Sequence, residues 1–162
     1  MTHPRAADLI AQLKLLPHPE GGFYRETYRS QSTVHSVSPH ESRSAVTTIF
    51  FLLKRGQFSR LHQVTSDEIW HFYEGDPLEL TWGPLDGTPC ERHLLGPVAP
   101  NQSPVLVVPA HAWQAARPLG DYTLVGCTVA PGFEFRHFQM LRDVPQEASR
   151  IKAGYPQLSG LI

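Results

Sequence analysis

Two side chains in residues 56–75, GQFSRLHQVTSDEIWHFYEG, have the chemistry to exchange protons within one site. They are His62 and Glu68. An imidazole titrates near neutral pH, and a carboxyl group beside it can orient the ring or carry a proton itself. Polar and apolar residues alternate on both sides of a short polar turn at residues 65–67, a pattern typical of a β-hairpin. Such a hairpin brings His62 and Glu68 together at the open end of a sheet, and we predict that both are catalytic.

Alternation along the two strands divides their side chains into an inward set and an outward set. The expected inward set is Phe58, Arg60, His62 and Val64 from the first strand and Glu68, Trp70 and Phe72 from the second. Ser59, Leu61 and Gln63 are expected on the opposite face. His71 then points outward, to the surface or to a dimer interface, unless a β-bulge reverses its direction.

The spacing of five residues in this segment resembles the first signature of the cupins: Gly56, His62, Val64, Glu68 and Gly75. A second cupin signature, Pro-x-Gly-x-x-His, is similar to the stretch that holds Pro109, His111 and Gln114. In cupins, the conserved His and Glu residues of the two signatures bind a metal inside a small β-barrel. His62 and Glu68 match two of the four usual ligand positions, and Val64 and Gln114 stand at the other two.

Longer runs resemble the uncharacterised Cupin_5 branch of that superfamily, formerly a domain of unknown function. They are PHPEGGFYRETYRS, TTIFFLL, SDEIWHFYEGDPLEL, VPAHAWQAA and LVGCTVAPGFEF. The resemblance implies a mainly β, cupin-type double-stranded β-helix, or jelly-roll barrel, with a short N-terminal helix and a short C-terminal helical tail. It also implies a homodimer, since similar cupins commonly pair through a sheet. It implies no settled reaction.

Three classes of protein remain open. The first is an isomerase- or epimerase-like enzyme that acts on a polar or anionic metabolite, such as a sugar or nucleotide derivative. His62 would act as general base or acid, and Glu68 would hold the tautomer of His62 or transfer a proton itself. Cupins that lack the full ligand set include sugar epimerases that work without metal. The residues expected to bind the ligand are Arg25, Arg60, Trp70 and Gln114.

The second class is a metalloenzyme in which His62, Glu68 and Gln114 surround Fe, Mn, Ni or Zn. Imidazole and carboxylate suit these metals, whereas a neutral amide is a poor ligand and Val64 supplies none. The third class is a non-catalytic module that uses the barrel as a binding pocket. The sequence does not separate these classes.

Two basic residues have alternative interpretations. Arg25 lies on an otherwise aromatic strand, where it is either a solvated edge charge or an inward anchor for an anionic group. His111 stands where the second signature has glycine. It is either a substituted turn residue that tolerates positive φ or an extra imidazole beside the cavity.

The bulk composition favours one compact domain over residues 1–162. A net charge of −1 gives no electrostatic reason to expect nucleic acid or an anionic membrane. Neither a signal peptide nor an apolar run of membrane-spanning length is evident, so we expect a cytoplasmic protein. Cys90 and Cys127 form no Cys-x-x-Cys pair, and Cys127 is expected to be a small buried apolar residue.

The helices and strands that position the site are predicted from the periodicity of apolar residues and from the Gly and Pro residues that interrupt it. We predict a helix over residues 5–16, a strand over 23–29, a polar loop at the barrel mouth over 31–43 and a short helix over 146–152. Residues 131–138 are expected to form an edge strand or a flap. The apolar residues 45–53 are expected either in a central strand or in one whose outer face is buried in a dimer.

Overall fold

The computed structural model describes residues 3–37 and 40–162. The strands of the first half are β1 (Leu16–Pro17), β2 (Phe23–Arg29), β3 (Thr33–Val37), β4 (His40–Ser44), β5 (Thr47–Lys54), β6 (Ser59–Val64) and β7 (Asp67–Gly75). Those of the second half are β8 (Leu78–Gly83), β9 (Glu91–Leu95), β10 (Gln102–Ser103), β11 (Val105–Val108), β12 (Trp113–Pro118), β13 (Tyr122–Ala130) and β14 (Phe138–Met140). The α-helices are α1 (Pro4–Gln12) and α2 (Pro145–Gly154), and 3-10 turns cover Phe135–His137, Leu141–Asp143 and Pro156–Leu161.

The strands form two facing sheets, as expected for a jelly roll. The first sheet has the order β1-β2-β5-β13-β7-β11, and the second has the order β10-β9-β8-β12-β6-β14. Strands distant in sequence therefore become neighbours, and β6 and β7 of the predicted hairpin lie in different sheets. The cupin-type fold predicted from the sequence is confirmed.

Apolar side chains fill one end of the space between the sheets. Phe51, Trp70 and Val125 of the first sheet meet Leu78, Leu80 and Trp82 of the second. The rings of Phe51 and Trp70 pack edge to face with their centroids 6.0 Å apart. At the other end, polar side chains replace the apolar ones, and a cavity remains.

The helices cover the outer faces of the sheets. Helix α1 places Ala6 and Leu9 against Leu52 and Leu124 of the first sheet. The C-terminal segment places Ile151 and other apolar residues of its helical turns against the outer face of the second sheet, around Leu61. Within residues 3–37 and 40–162, no helix has the length and the apolar character that a membrane crossing requires.

Helix α1 ends earlier than predicted. Lys14 has a positive φ of 53°, and the Leu15 amide donates to the Ile10 carbonyl, which together form a left-handed C-terminal cap. Leu16 consequently leaves the helix, enters β1 and is 65% exposed. Helix α2 begins before and ends after the predicted residues 146–152.

The predicted polar loop over residues 31–43 is largely a β-hairpin. Strands β3 and β4 pair from Thr33 opposite Ser44 to Val37 opposite His40, and residues 38 and 39 lie outside the described part of the chain. The apolar strand β5 is central in its sheet, between β2 and β13. Burial of its outer face in a dimer stays a prediction.

Candidate functional site

A cavity of about 140 Å³ opens at the polar end of the barrel. Its ionisable lining residues are His18, Glu20, Glu26, Arg29, His62, Glu68, Cys127 and Glu134. Its aromatic lining residues are Tyr24, Phe133, Phe135 and Phe138. The cavity therefore combines several proton-carrying groups with apolar ring faces in one small space.

His62 and Glu20 form the closest acid–base pair in the cavity. The side chain of His62 is 2% exposed, and its Nε2 lies 3.3 Å from Oε2 of Glu20. Its Nδ1 lies 2.7 Å from the carbonyl oxygen of Arg60. Because a carbonyl oxygen only accepts, Nδ1 carries the hydrogen, and Nε2 is the nitrogen that gains or loses a proton. Nε2 of His62 therefore faces the Glu20 carboxyl at a distance over which a proton can pass.

Ser59 holds Glu20 in this position. Its buried hydroxyl donates to Oε1 of Glu20 at 3.0 Å, which leaves Oε2 directed at His62. A β-bulge in β6 makes this possible, because the register against β12 shifts between Gln114 opposite His62 and Ala116 opposite Ser59. Ser59 thus joins His62 on the cavity side, contrary to the simple alternation expected from the sequence.

Glu68 faces the cavity from β7 and is held by a chain of hydrogen bonds. The amide Nε2 of Gln114 donates to Oε2 of Glu68 at 2.6 Å, and the indole Nε1 of Trp70 donates to Oε1 of Gln114 at 3.1 Å. Since an indole N–H only donates, it fixes which amide atom faces Glu68. Gln114 and Trp70 are fully buried behind Glu68 and do not line the cavity.

Burial moves the pKa values of these groups in opposite directions. Loss of hydration raises the pKa of Glu20 from its ordinary 4.5 to about 8, although the hydrogen bond from Ser59 opposes this change. Burial also raises the pKa of Glu68, while His62 and the donor Gln114 act against it. Burial lowers the pKa of His62, and lowers that of His18 to about 3. At neutral pH Glu20 therefore tends to hold its proton, and the two imidazoles tend to be neutral.

His18 and Glu20 reach the cavity through a tight turn before β2. The amide of His18 donates to the Gly22 carbonyl and the amide of Gly21 to the His18 carbonyl, both at 3.1 Å. The amide of Arg60 then donates to the Glu20 carbonyl at 2.9 Å, which docks the turn against β6. Both glycines have positive φ, and a Cβ on Gly21 would overlap the carbonyl oxygen of Phe58.

Arg29, not Arg25, stands at the cavity mouth. The register of β2 against β5 shifts between Glu26 and Tyr28, so the strand carries a bulge that turns Arg29 to the side of Tyr24 and Glu26. Arg25 lies opposite Phe50 of β5, and Phe50 packs with the cluster under α1. Arg25 therefore does not line the cavity, contrary to expectation. The bulge interrupts the alternation of side chains, and Arg29 faces the cavity as a result.

Arg60 also lies outside the cavity lining. Its guanidinium lies over the ring of Phe58, 5.1 Å from the centroid, and its Nη1 is 3.4 Å from the Glu20 carbonyl oxygen. Because of the bulge in β6, the side chain of Arg60 does not share the face of the strand that carries His62. Arg60 contacts the site through backbone groups: its carbonyl fixes His62 and its amide holds the turn of Glu20.

A flap of residues 131–138 closes one side of the cavity. Phe133 and Phe135 line the cavity with Phe138, the first residue of β14, because the 3-10 turn at Phe135–His137 interrupts the strand alternation expected there. Glu41 of β4 anchors the flap by contacts of 3.3 Å to Arg136 and 3.1 Å to Nε2 of His137. Of the two alternatives expected for residues 131–138, the flap is the one found, because the edge strand β14 begins only at Phe138.

The remaining sequence candidates lie around the site. His71 pairs with Val105 and does not line the cavity, in line with its expected outward direction. His111 is exposed and has a φ of 64°, so it is the substituted turn residue. Cys127 is buried as expected, but its thiol also lies at the cavity wall, where burial and the nearby Glu68 raise its pKa well above the ordinary value.

The sequence matches one family model over most of its length. The model described as the cupin superfamily family DUF985, Cupin_5, covers residues 7–141. The chain belongs to the Cupin_5 family. Among proteins of curated function, none matches it.

Solved structures support the Cupin_5 assignment. A hypothetical protein from Leishmania major shares 34% identity over 91% of this chain and 97% of its own, with a TM-score of 0.76. A protein from Shewanella oneidensis shares 33% identity over 96% of both chains, with a TM-score of 0.81. Oxalate decarboxylase from Bacillus subtilis shares 16% identity, covers 90% of this chain and 37% of its own, and has a TM-score of 0.59, which shows the cupin fold alone.

The donor set of this Cupin_5 chain does not fit the metal centre implied by the cupin signatures. Nε2 of His62 is directed at Glu20, and the Gln114 oxygen is directed at the indole of Trp70 instead of toward Glu68. Val64 lines the cavity at the position of a second imidazole and supplies no ligand. Among the residues that the structure describes, no group of three or more His, Cys, Asp and Glu side chains is arranged to hold a metal ion.

Sequence reasoning missed His18, Glu20 and Arg29 as site residues of the Cupin_5 chain. A signal for the first two was present, because the paired Gly21 and Gly22 mark a turn whose backbone approaches other strands closely. The carboxyl and imidazole just before that turn could have been placed at the mouth. Arg29 had no such signal, since a bulge within a regular-looking strand leaves no mark in the residue pattern.

Proposed function

We propose that the cavity catalyses proton transfer on a small polar metabolite, as in an isomerase or epimerase, without a metal ion. The observation that carries this proposal is the contact of 3.3 Å between Nε2 of His62 and Oε2 of Glu20, in a cavity that also presents Glu68. Acid and base groups in one closed space are what a reversible proton transfer requires.

The Glu20–His62 pair serves as the acid. The Arg60 carbonyl, rather than Glu68, holds the tautomer of His62, so Nε2 is free to exchange its proton. With a pKa of about 8, Glu20 keeps that proton available at neutral pH. A carboxyl with an ordinary pKa of 4.5 would have lost it.

Glu68 serves as the base. One of its oxygens accepts from Gln114, and burial makes the carboxylate a stronger base than one in water. Glu68 removes a proton from the carbon next to a carbonyl group, while the Glu20–His62 pair donates its proton to the carbonyl oxygen. An enediol results. Return of a proton from Glu68 to the former carbonyl carbon, and of the proton of the neighbouring hydroxyl to the pair, completes the isomerisation with both groups restored.

The cavity limits the size of the reacting part. A volume of about 140 Å³ is close to the roughly 150 Å³ of a cavity that accommodates benzene. A six-membered ring fits, with larger substituents extending through the mouth. Tyr24 and the flap phenylalanines offer apolar faces for the C–H face of a ring, which suits the sugar part of a sugar or nucleotide derivative.

Solvent deuterium exchange tests this proposal without knowledge of the product. Aldoses, ketoses and their derivatives are incubated with the protein in D₂O, and ¹H NMR follows the loss of the carbon-bound proton next to the carbonyl group. We expect exchange on at least one compound, persistence after EDTA treatment, and a loss of at least about 100-fold in Glu68→Gln and His62→Gln. His93→Gln, which changes an exposed histidine paired with Glu91, is the matched control and keeps the full rate.

Two results would count against the proposal. Exchange that EDTA abolishes and a transition metal restores would assign the chemistry to a metalloenzyme. A compound that binds tightly in the cavity but never exchanges its protons would instead indicate a binding module.

A further inference from the structure

The charges around the cavity are strongly one-sided. Within the described residues, four carboxyl side chains line it, Glu20, Glu26, Glu68 and Glu134, and Arg29 is the one lining side chain with a permanent positive charge. The ligand therefore meets an acidic mouth and an interior without a strong cation.

The guanidinium of Arg29 is already satisfied. Its Nε and Nη2 donate to the two oxygens of Glu26 at 3.0 and 2.8 Å, a bidentate pair. Its Nη1 donates to Oε1 of Glu134 at 3.1 Å, and Nη2 also donates to the Phe133 carbonyl oxygen at 3.0 Å. An anionic group on the ligand would have to displace one of these carboxylates and would still face the other.

The interior adds no compensating positive charge. The buried imidazoles of His18 and His62 have lowered pKa values and tend to be neutral. The buried carboxyls Glu20 and Glu68 are either neutral or negative, depending on their protons. In neither state does a carboxylate or phosphate that enters the cavity find a cationic partner among these interior residues, and burying an anion without one is costly.

Uncharged hydroxyl groups fit the same surroundings well. A protonated carboxyl both donates and accepts a hydrogen bond, as a hydroxyl does. Glu20, with its raised pKa of about 8, provides such a group in the interior, Glu68 provides an acceptor there, and Glu26 and Glu134 provide acceptors at the mouth. We propose that the part of the ligand entering the cavity is an uncharged polyhydroxy compound, and that the Glu26–Arg29–Glu134 network excludes anionic ones. This inference names the substrate class and rests on the proposed function.

Matched pairs of small ligands test the inference. The probes are aldoses, the aldonic acids formed from them and their terminal phosphates, with binding measured by ligand-observed NMR and by thermal shift at pH 7. For the wild-type protein, we expect each neutral aldose that binds to do so at least about tenfold more tightly than its acid and its phosphate.

Two variants test whether the contacts of Arg29 set this selectivity. Glu26→Gln/Glu134→Gln frees the guanidinium of Arg29, so we expect at least about tenfold tighter binding of the acids and little change for the neutral aldoses. Arg29→Gln removes the cation, and the acids should bind no better than to wild type. Glu147→Gln alters a glutamate in a similar bidentate contact with Arg150, away from the cavity, and is the control.

Several outcomes would overturn the inference. They are wild-type binding of an acid or a phosphate as tight as that of its aldose, no binding of any neutral probe, or a double variant whose preference does not change. These readouts are independent of turnover. Selective binding of neutral aldoses without deuterium exchange would refute the proposed reaction and leave the charge selectivity standing.

Discussion

Glu20 combines two properties that rarely occur together in a carboxyl group. It is 6% exposed, it accepts a hydrogen bond from the Ser59 hydroxyl, and its other oxygen faces the His62 imidazole instead of a permanent cation. Burial without a permanent positive partner raises its pKa to about 8. Its proton is consequently stabilised by the fold, and the fold is less stable once that proton is lost.

We therefore expect Glu20→Gln to stabilise the protein in alkaline solution. The pKa of Glu20 in the folded state, about 8, lies above its ordinary 4.5, so the stability linked to its proton is complete below about pH 4.5 and is lost as the pH rises through about 8. Gln resembles the protonated carboxyl and does not titrate. At about 1.4 kcal/mol for each pKa unit, the gain at pH 8 is a few kcal/mol, or on the order of 5–10 °C in Tm.

Thermal unfolding of both proteins between pH 4.5 and pH 8.5 measures this effect. The Tm difference should grow with pH and vanish near pH 4.5. Glu91→Gln, at an exposed glutamate, is the control and should show no such trend. A Tm difference that is the same at every pH would mean that Glu20 does not hold a proton in the folded protein.

At this scale, the sequence predicted the cavity positions of His62 and Glu68, whereas Gln114 is buried behind Glu68 instead of lining the cavity. The two cupin signatures fix their spacing, and the strands deliver them to one neighbourhood. What the spacing could not reveal is what each side chain contacts. The partner of His62 is Glu20, from a turn about 40 residues earlier in the chain.

Bulges and a glycine turn decide which side chains reach the cavity. The bulge in β6 brings Ser59 inward, the bulge in β2 brings Arg29 inward, and Gly21 lets the turn of Glu20 lie against Phe58. Regular alternation predicted the strands themselves correctly, but a single extra residue in a strand reverses every side chain beyond it. The errors at Arg29, Ser59 and Arg60 arise from this cause.

Replacement of Gly21 by Ala should displace the Glu20 turn. The residue has a φ of +119°, and a Cβ there meets the Phe58 backbone. We expect a loss of about 2–4 kcal/mol in the free energy of unfolding and loss of deuterium exchange activity. Gly56→Ala is the matched control: φ is +77° but nothing lies within 4 Å of its Cβ, so only the conformational cost of about 1–2 kcal/mol applies.

Chemical denaturation and the exchange assay together separate the two effects. If Gly21→Ala and Gly56→Ala lose equal stability and both keep the exchange rate, close packing of the turn against β6 is not what positions Glu20.

The outer face of the first sheet bears on the assembly of the whole molecule. Helix α1 covers one end of this face, around Leu52 and Leu124. The other end exposes Tyr73, Val105 and Val107, which are 49%, 44% and 50% exposed. Val105 and Val107 lie beside His71 and Ile69 of the adjacent strand. We propose that a second copy of the chain covers this apolar region and forms a homodimer.

Light scattering coupled to size-exclusion chromatography tests the dimer. We expect a mass near twice 18.2 kDa for the wild type and near 18.2 kDa for Val107→Lys. Val98→Lys changes a valine that is 85% exposed elsewhere and should leave the mass unchanged. A wild-type mass of 18.2 kDa, or a Val107→Lys variant that stays dimeric, would contradict this interface.

The hydrogen-bond chain from Trp70 to Glu68 has an optical consequence. The indole N–H is joined to the ionisable carboxyl through a single amide, so a change in the charge of Glu68 alters the field at the indole ring. Indole emission is sensitive to such fields. Ligands that change the protonation of Glu68 should therefore shift the intrinsic fluorescence of the protein. The emission of Trp70 then reports ligand binding in the cavity without an added label.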